Sequence, residues 1–415
     1  MALLRLRLAV VCIGMLVVGS ATAAAAELPR VIMVATGGTI SNRSGGRLTA
    51  SELVALIPDV QRYARPEFEQ FANVASSALT MDQWLALSRR LNELFATQPD
   101  LAGLVVTSGT DTLEELAYFL HLTVRDDRPV VVVGSMRNPS TLGYEGAANL
   151  LEAFRVAASP DARAKGVLVV LNDEINSARE VTKTDALRLQ TFQSRTVGVM
   201  GVVDSDRVVF YRSTVKRHTA RSEFDVSKIT ALPRVDVVMV YQDAPGDLIK
   251  AAADFGAKGI VIAGAGAGAT SGTQSEGLSY AADKGAVVVT TTRTGSGRIS
   301  GGRMMGAPPA AAGGATPTAP APAARGAAGS TTGTTTGTTT GAATGAVAAG
   351  TPPIAARGAG APAAGQATDP SQAPRRRRTF VGGEDLQPIK ARILLMLALT
   401  KTTDPIEIQR MFLEY

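Results

Sequence analysis

Short runs of apolar, largely β-branched residues recur along the chain and predict buried strands. Most of these runs are continuously apolar rather than alternating, as is typical of strands covered on both faces. Stretches with the apolar period of a helix separate them, such as residues 112–124 and 145–158. The alternation predicts an α/β fold with parallel sheets and right-handed crossovers. The predicted strands are residues 31–36, 101–107, 129–134, 166–171, 235–241, 259–264 and 285–291.

Residues 1–26 predict an export signal rather than a part of the fold. Arginines open the segment, residues 8–18 are apolar, and residues 21–26 are small. This order is typical of a secretory signal peptide. The apolar run is shorter than a membrane-spanning helix requires, although an uncleaved anchor is the alternative. We therefore expect a periplasmic or secreted protein that begins near Glu27 and has no membrane partner after cleavage.

Residues 306–378 interrupt the globular pattern. They are almost entirely alanine, glycine, threonine and proline, and they end in the arginines 375–378. Such a composition buries too little apolar area to offset the entropy lost on ordering, so we expect a disordered insertion. The arginines are either a solvated run or a site of adhesion to anionic surface polymers or membrane.

The remaining pattern divides into two α/β domains. Residues 27–211 form the predicted parallel-sheet domain, and a linker, residues 212–234, leads to a smaller α/β domain, residues 235–415. The insertion lies within this second domain. Apolar stripes at residues 388–400 and 405–412 predict helices that pack on it.

The composition excludes several kinds of site. The chain of 415 residues has one cysteine and two histidines. Cys12 falls in the predicted signal peptide, so a disulfide framework and a cysteine-based metal site are excluded. Two histidines also exclude a multi-histidine metal centre. The formal net charge of +6 comes from 42 basic and 36 acidic residues that are well mixed, which does not indicate a nucleic-acid partner.

Glycine and small hydroxyl or amide residues follow the predicted strands. Because ligands of such folds bind beyond the carboxyl ends of the strands, these residues share one edge of the sheet. Gly38-Thr39 and Gly109-Thr110 lie at two strand ends, where glycine lets the backbone approach a ligand closely. The edge suits a small polar ligand and lacks the aromatic platforms that favour a nucleobase. The structural alternative is that Asp111 caps the following helix.

A set of motifs in order along the chain resembles the bacterial L-asparaginase family, in particular its periplasmic type II branch. The resemblance covers about residues 28–302, resumes from about residue 380 to residue 415, and omits the low-complexity segment. The motifs are Ala35-Thr-Gly-Gly-Thr-Ile-Ser, Thr107-Ser-Gly-Thr-Asp-Thr-Leu-Glu-Glu, Val133-Gly-Ser-Met-Arg, Gly166-Val-Leu-Val-Val-Leu-Asn-Asp, Val181-Thr-Lys-Thr and Phe224-Asp-Val-Ser-Lys.

The resemblance implies hydrolysis of the side-chain amide of L-asparagine to aspartate and ammonia, with L-glutamine as a secondary substrate. Matched residue by residue, Thr39 is the nucleophile, and Asp111 also meets the α-ammonium of the substrate. The second catalytic group comprises Thr110, Asp111 and Lys183. Substrate contacts fall on Gly38, Ser76, Ser77, Thr110 and Asp111. The resemblance further implies a homotetramer built as a dimer of dimers, without a metal or organic cofactor.

The chemistry of these residue types agrees with that role. A threonine hydroxyl is a weak nucleophile at neutral pH and needs a base. A lysine that lies beside a carboxylate and is partly desolvated can lose or share a proton. Glycine-rich turns offer backbone N–H groups that stabilise an oxyanion. The set of Thr110, Asp111 and Lys183 is therefore a plausible partner for a nucleophilic Thr39.

The sequence also departs from the family pattern. The lid after the first strand, residues 41–48, is short and lacks the tyrosine that assists the nucleophile. No acid follows residues 292–298 before Asp369, whereas the family often supplies a carboxylate there to a neighbouring subunit. The family's Gly-Asn-Gly is Gly-Ala-Gly at residues 266–268, its glutamine is Ser77, and its histidine is Ser108. We expect an active enzyme that is slower or differently selective, with Ser44 or Thr294 as candidate substitutes for the missing groups.

Other classes of protein remain open at this point. The glycine-rich turn 264–268 favours a dinucleotide-binding protein, but the acid expected about twenty residues further on is absent. A non-catalytic exported amino-acid-binding protein would keep Asp111 and Ser76 and would not need Lys183. A surface-adhesion role for the insertion could coexist with either function.

Overall fold

The computed structural model describes residues 27–301 and 380–415. The predicted signal peptide and the predicted insertion lie outside these residues. Within the two described ranges, no helix is long and apolar enough to cross a membrane.

Strands and helices alternate over most of the described chain. The strands are β1 (Arg30–Gly37), β2 (Asn42–Arg43), β3 (Gly46–Arg47), β4 (Arg65–Val74), β5 (Leu101–Thr107), β6 (Val130–Val133), β7 (Val167–Leu171), β8 (Glu174–Ser177), β9 (Thr182–Lys183), β10 (Phe192–Gln193), β11 (Gly201–Val203), β12 (Val208–Phe210), β13 (Val235–Met239), β14 (Gly259–Gly264), β15 (Val287–Thr292) and β16 (Val381–Gly382). The α-helices are α1 (Ala50–Ala55), α2 (Met81–Thr97), α3 (Leu113–Thr123), α4 (Gly146–Ala158), α5 (Asp247–Asp254), α6 (Gln274–Asp283), α7 (Pro388–Ala398) and α8 (Pro405–Glu414).

An eight-stranded sheet in the order β12-β11-β8-β7-β6-β5-β1-β4 forms the N-terminal part. Strands β4, β1, β5, β6 and β7, named in their order across the sheet, are parallel. Strands β8, β11 and β12 continue the sheet in antiparallel pairs. Alternate residues of β5 enter different cores. Leu104 packs in the core beneath α2 and α3, and Val105 packs in the core beneath α4. Both faces of the sheet are therefore covered, which explains the continuously apolar strands.

A second, parallel sheet in the order β13-β14-β15-β16 follows. Ile260 of β14 packs against α5 and α6, while Val261 faces the core that contains α7. Leu394 of α7 and Tyr118 of α3 belong to that same core. Helix α7 thus joins the two sheets, because its apolar residues are buried nearly all round.

The predicted α/β fold class, with a parallel-sheet N-terminal part and a smaller parallel sheet after it, is confirmed. The predicted strand 235–241 is shorter, because β13 ends at Met239. Strand β4 was not predicted, since it lies at the edge of its sheet and is only partly buried. Phe224, within the predicted linker, is buried against the ring of Tyr415.

Leu394→Ala is expected to lower the free energy of unfolding by about 2–5 kcal/mol, because it leaves a cavity in a core that the surroundings refill only in part. Leu413→Ala is the matched control, since that side chain is 48% exposed against 0% for Leu394. The control should change the free energy of unfolding by less than about 0.5 kcal/mol. Urea unfolding of both variants measures the difference, and equal losses would contradict the packing described for α7.

Candidate active site

The carboxyl ends of β1 and β5 meet at paired glycines. Gly38 has a φ of 94°, and its N–H donates to the carbonyl of Val74 at 2.8 Å. A Cβ atom on Gly38 would lie 2.2 Å from the backbone nitrogen of Gly109, and one on Gly109 would lie 2.8 Å from the Oγ of Ser76. Only glycine fits such an approach at positive φ. The contact brings the turn that carries Thr39 against the segment that carries Thr110.

The side chain of Lys183 joins two segments of the chain. Its Nζ donates to Thr110 Oγ1 at 3.1 Å and to Asp111 Oδ1 at 2.9 Å. Thr110 is buried, the Lys183 side chain is 15% exposed, and the Asp111 side chain is 76% exposed. The ammonium is therefore largely shielded from water on the side of Thr110, whereas the carboxylate opens to solvent and to a ligand.

Glu114, in the first turn of α3, fixes the backbone beneath Lys183. Its Oε1 accepts from the Oγ1 of Thr182 and from the backbone N–H of Lys183, each at 3.1 Å. Glu114 follows Asp111 by less than one helical turn. It therefore anchors β9, the strand that carries Lys183, to the same segment that carries Thr110 and Asp111. The motif Thr-Leu-Glu-Glu contains this residue, but its role was not predicted.

Three contacts hold the turn around Thr39. Arg47 Nη1 donates to the carbonyl of Gly38 at 3.0 Å, and Tyr144 Oη donates to the carbonyl of Ile40 at 2.9 Å. The backbone N–H of Ser44, in the β2–β3 hairpin, donates to Ser140 Oγ at 2.8 Å. Burial raises the pKa of the Tyr144 hydroxyl above its ordinary value, so the group stays protonated and donates. None of these roles was predicted, because each depends on contact with a backbone carbonyl or with a distant loop.

The remaining candidate residues divide between the site and its surroundings. Ser76 is buried beside Gly109, whereas Ser77 is exposed. Thr294 Oγ1 bonds Thr292 Oγ1 at 3.0 Å and donates to the carbonyl of Ser296 at 2.7 Å, so it is engaged within its own loop.

An acid that the sequence reasoning missed pairs with the loop after β15. Arg298 Nε donates to Glu384, whose side chain is 5% exposed. Glu384 follows the predicted insertion in sequence but returns to this loop through a bridge with Ile299. Glu384 lies beyond Asp369 in sequence, and only the bridge to Ile299 brings it to this loop.

Two other kinds of site lack support. Among the described residues, no group of three or more histidine, cysteine or carboxylate side chains could hold a metal ion. In the turn 264–268, a Cβ atom on Gly264 would lie 2.5 Å from the Cα of Gly268. Close packing accounts for Gly264, and the positive φ of Gly266 and Gly268 favours glycine at those two positions, without a bound phosphate.

Comparison with known proteins identifies the family. Residues 30–216 match the family model "Asparaginase, N-terminal", and residues 234–325 and 323–412 match "Glutaminase/Asparaginase C-terminal domain". The chain is 41% identical over 273 residues to L-asparaginase 2 of Bacillus subtilis. This alignment covers 63% of this chain and 72% of the relative. It is 36% identical over 280 residues to a probable periplasmic L-asparaginase of Haemophilus influenzae, covering 65% of this chain and 79% of the relative.

A solved structure agrees with these matches. The crystal structure of a probable cytoplasmic L-asparaginase from Campylobacter jejuni aligns with a TM-score of 0.72 at 34% identity, and the alignment covers 93% of this chain and 100% of that one. The glycine-lined strand ends and the lysine-threonine-aspartate cluster thus lie on an asparaginase fold. The chain belongs to the asparaginase family.

Gly38→Ala is expected to lower the free energy of unfolding by more than about 3 kcal/mol, since it adds a backbone clash to a strained φ. Gly45→Ala is the matched control, because Gly45 also has a positive φ, of 82°, but a Cβ there meets nothing within 4 Å. The control should lower the free energy of unfolding by about 1 kcal/mol. Thermal unfolding compares the two variants, and an equal cost would mean that the β1 and β5 ends do not meet as described.

Proposed function

We propose that this protein is an L-asparaginase that hydrolyses the side-chain amide of L-asparagine, with Thr39 as nucleophile. The observation that carries the proposal is the Lys183 ammonium held between Thr110 and Asp111, next to the glycine contact that brings in the Thr39 turn. Family membership supports the reaction class.

In the proposed reaction the oxygen of Thr39 attacks the amide carbon and forms a C–O bond. The hydroxyl proton passes to the leaving nitrogen by way of the Thr110–Lys183–Asp111 group, the C–N bond breaks, and ammonia departs. Water then adds to the resulting ester, the C–O bond to Thr39 breaks, and a proton from that water passes to the threonine oxygen. The products are aspartate, ammonia and the free enzyme, with no metal or organic cofactor.

Substrate recognition is proposed to use groups around the same contact. Asp111, exposed and negative, suits the α-ammonium of the substrate, and Ser76 suits its α-carboxylate. Gly38 and Ser77 complete the contact surface. L-Glutamine, which is longer by one methylene, is proposed as a secondary substrate, in agreement with the glutaminase named in the C-terminal family model.

The short lid hairpin is proposed to serve as a fixed support rather than as a carrier of a catalytic tyrosine. Arg47 and Tyr144 each donate to a backbone carbonyl beside Thr39, at 3.0 and 2.9 Å. These contacts support the orientation of the Thr39 turn from two sides.

The setting of the enzyme is also a proposal. We infer export through the signal-like residues 1–26, in line with the periplasmic relative. We also propose a homotetramer, as the family resemblance implies, and the domain limits 27–211, 212–234 and 235–415. The predicted insertion, residues 306–378, lies outside the described residues.

Thr39→Ala should reduce ammonia release from L-asparagine by at least about 1,000-fold, because it removes the attacking oxygen. Lys183→Met should reduce kcat by about 100- to 10,000-fold, as expected for loss of a proton-transfer group. Both variants should still bind L-aspartate, which isothermal titration measures. Thr97→Ala and Lys284→Met are matched controls at surface sites, where Thr97 bonds only its own helix and Lys284 pairs with Asp254.

The same experiment separates the enzyme from its alternative. A folded wild-type protein that binds L-aspartate but releases no ammonia from asparagine or glutamine would favour a non-catalytic binding protein. Full activity in Thr39→Ala would contradict the assignment of the nucleophile.

A further inference from the structure

Helix α7 carries a lysine that is completely buried. The Lys390 side chain is 0% exposed, and its Nζ donates to the carbonyls of Ala178, Arg179 and Val181. Those carbonyls belong to the segment that leads directly into β9. Because an ammonium has three hydrogens, its hydrogen-bonding capacity is filled by this one segment.

The charge of Lys390 faces a carboxylate of the proposed active site. Glu114 Oε2 lies 3.9 Å from Lys390 Nζ, is buried, and has no hydrogen-bond partner among the described residues. The contact is therefore ionic. Burial lowers the pKa of Lys390 to about 8, while the charge of Glu114 acts to raise it. Removing one member of a buried pair leaves the other charge unpaired, which is strongly unfavourable.

Glu114 in turn holds Lys183. Its other oxygen, Oε1, accepts from the backbone N–H of Lys183 and the hydroxyl of Thr182. Within the described residues, strand β9 is not part of either large sheet and pairs only with the short β10. Few backbone bonds therefore fix the place from which the Lys183 side chain reaches Thr110 and Asp111.

We propose that Lys390 and Glu114 are positioning residues for the reaction, and that they act together to set the Lys183 ammonium against Thr110 and Asp111. The proposal rests on the catalytic role proposed for Lys183. Lys390 holds the three carbonyls before β9 and neutralises Glu114, and Glu114 holds the backbone of β9 itself. A helix at the C-terminal end of the chain, α7, thereby takes part in forming the site.

The chain offers a matched control for this pair. Arg392, two residues further along α7, lies 3.9 Å from Glu115, the neighbour of Glu114. Its Nε donates to the carbonyl of Val235, in the second sheet. Both pairs thus join α7 to α3, but within the described chain no hydrogen bond or ion pair links Arg392 or Glu115 to residues 178–183.

The experiment measures kcat and KM for L-asparagine in the full-length protein and in Lys390→Met, Glu114→Gln, Arg392→Met and Lys183→Met. Lys390→Met and Glu114→Gln should lower kcat at least tenfold and change KM less than threefold. The reason is that the Lys183 ammonium is misaligned while the groups that bind the substrate remain. Arg392→Met should change both constants less than threefold. The double variant Glu114→Gln with Lys390→Met should lose less than the product of the two single losses, since it leaves no unpaired buried charge. Thermal unfolding confirms that each protein is folded at the assay temperature.

The outcomes are distinguishable. Unchanged kcat in folded Lys390→Met and Glu114→Gln, beside an inactive Lys183→Met, would overturn this proposal alone. An equal fall of kcat in Arg392→Met would also overturn it, because loosened packing of α7 would then be the cause. If Lys390→Met does not fold, the nearly isosteric Glu114→Gln decides. An active Lys183→Met would instead overturn the proposed role of Lys183 itself.

Discussion

The site depends on one ammonium group placed between a buried hydroxyl and an exposed carboxylate. The bonds from Lys183 to Thr110 and Asp111 join segments more than seventy residues apart in the chain. Since β9 pairs only with β10 in the part of the chain that the structure describes, it is fixed mainly by side chains. Helix α3 supplies Glu114, and helix α7 supplies Lys390. Both helices pack in the same apolar core, so the geometry of the ammonium and the joining of the two sheets have a common physical basis.

The turn that carries Thr39 illustrates a second constraint, which acts on the backbone. Gly38 approaches Gly109 so closely that it has no room for a Cβ atom, and a Cβ atom on Gly109 would meet Ser76. Around them, Arg47 and Tyr144 bond the carbonyls of Gly38 and Ile40. Arg47 belongs to the short hairpin and Tyr144 precedes α4, so two separate segments of the chain hold the turn. The backbone on either side of Thr39 is thus supported directly.

Much of the fold could be predicted from the sequence, because strands buried on both faces consist of continuous apolar runs, as in Val130–Val133. The grouping of Thr110, Asp111 and Lys183 was implied by motifs that resemble the asparaginase family, and the contacts of the Lys183 side chain bring the three residues together. Tyr144, Arg47 and Lys390 could not be predicted, since their partners are backbone carbonyls, which leave no pattern in the sequence. Glu384 was missed for a related reason: its bridge to Ile299 spans the low-complexity stretch, and only the sheet brings the two together.

The most direct test of the central claim is to identify the residue that becomes acylated. Protein mixed with L-asparagine is quenched in acid within the first turnovers, digested, and analysed by mass spectrometry. We expect an aspartyl ester on the peptide that contains Thr39, present in the wild-type protein and absent from Thr39→Ala. An ester on the peptide that contains Thr110, or rapid turnover by Thr39→Ala, would contradict the assignment of Thr39 as the nucleophile and of the Lys183 group as its proton-transfer partner.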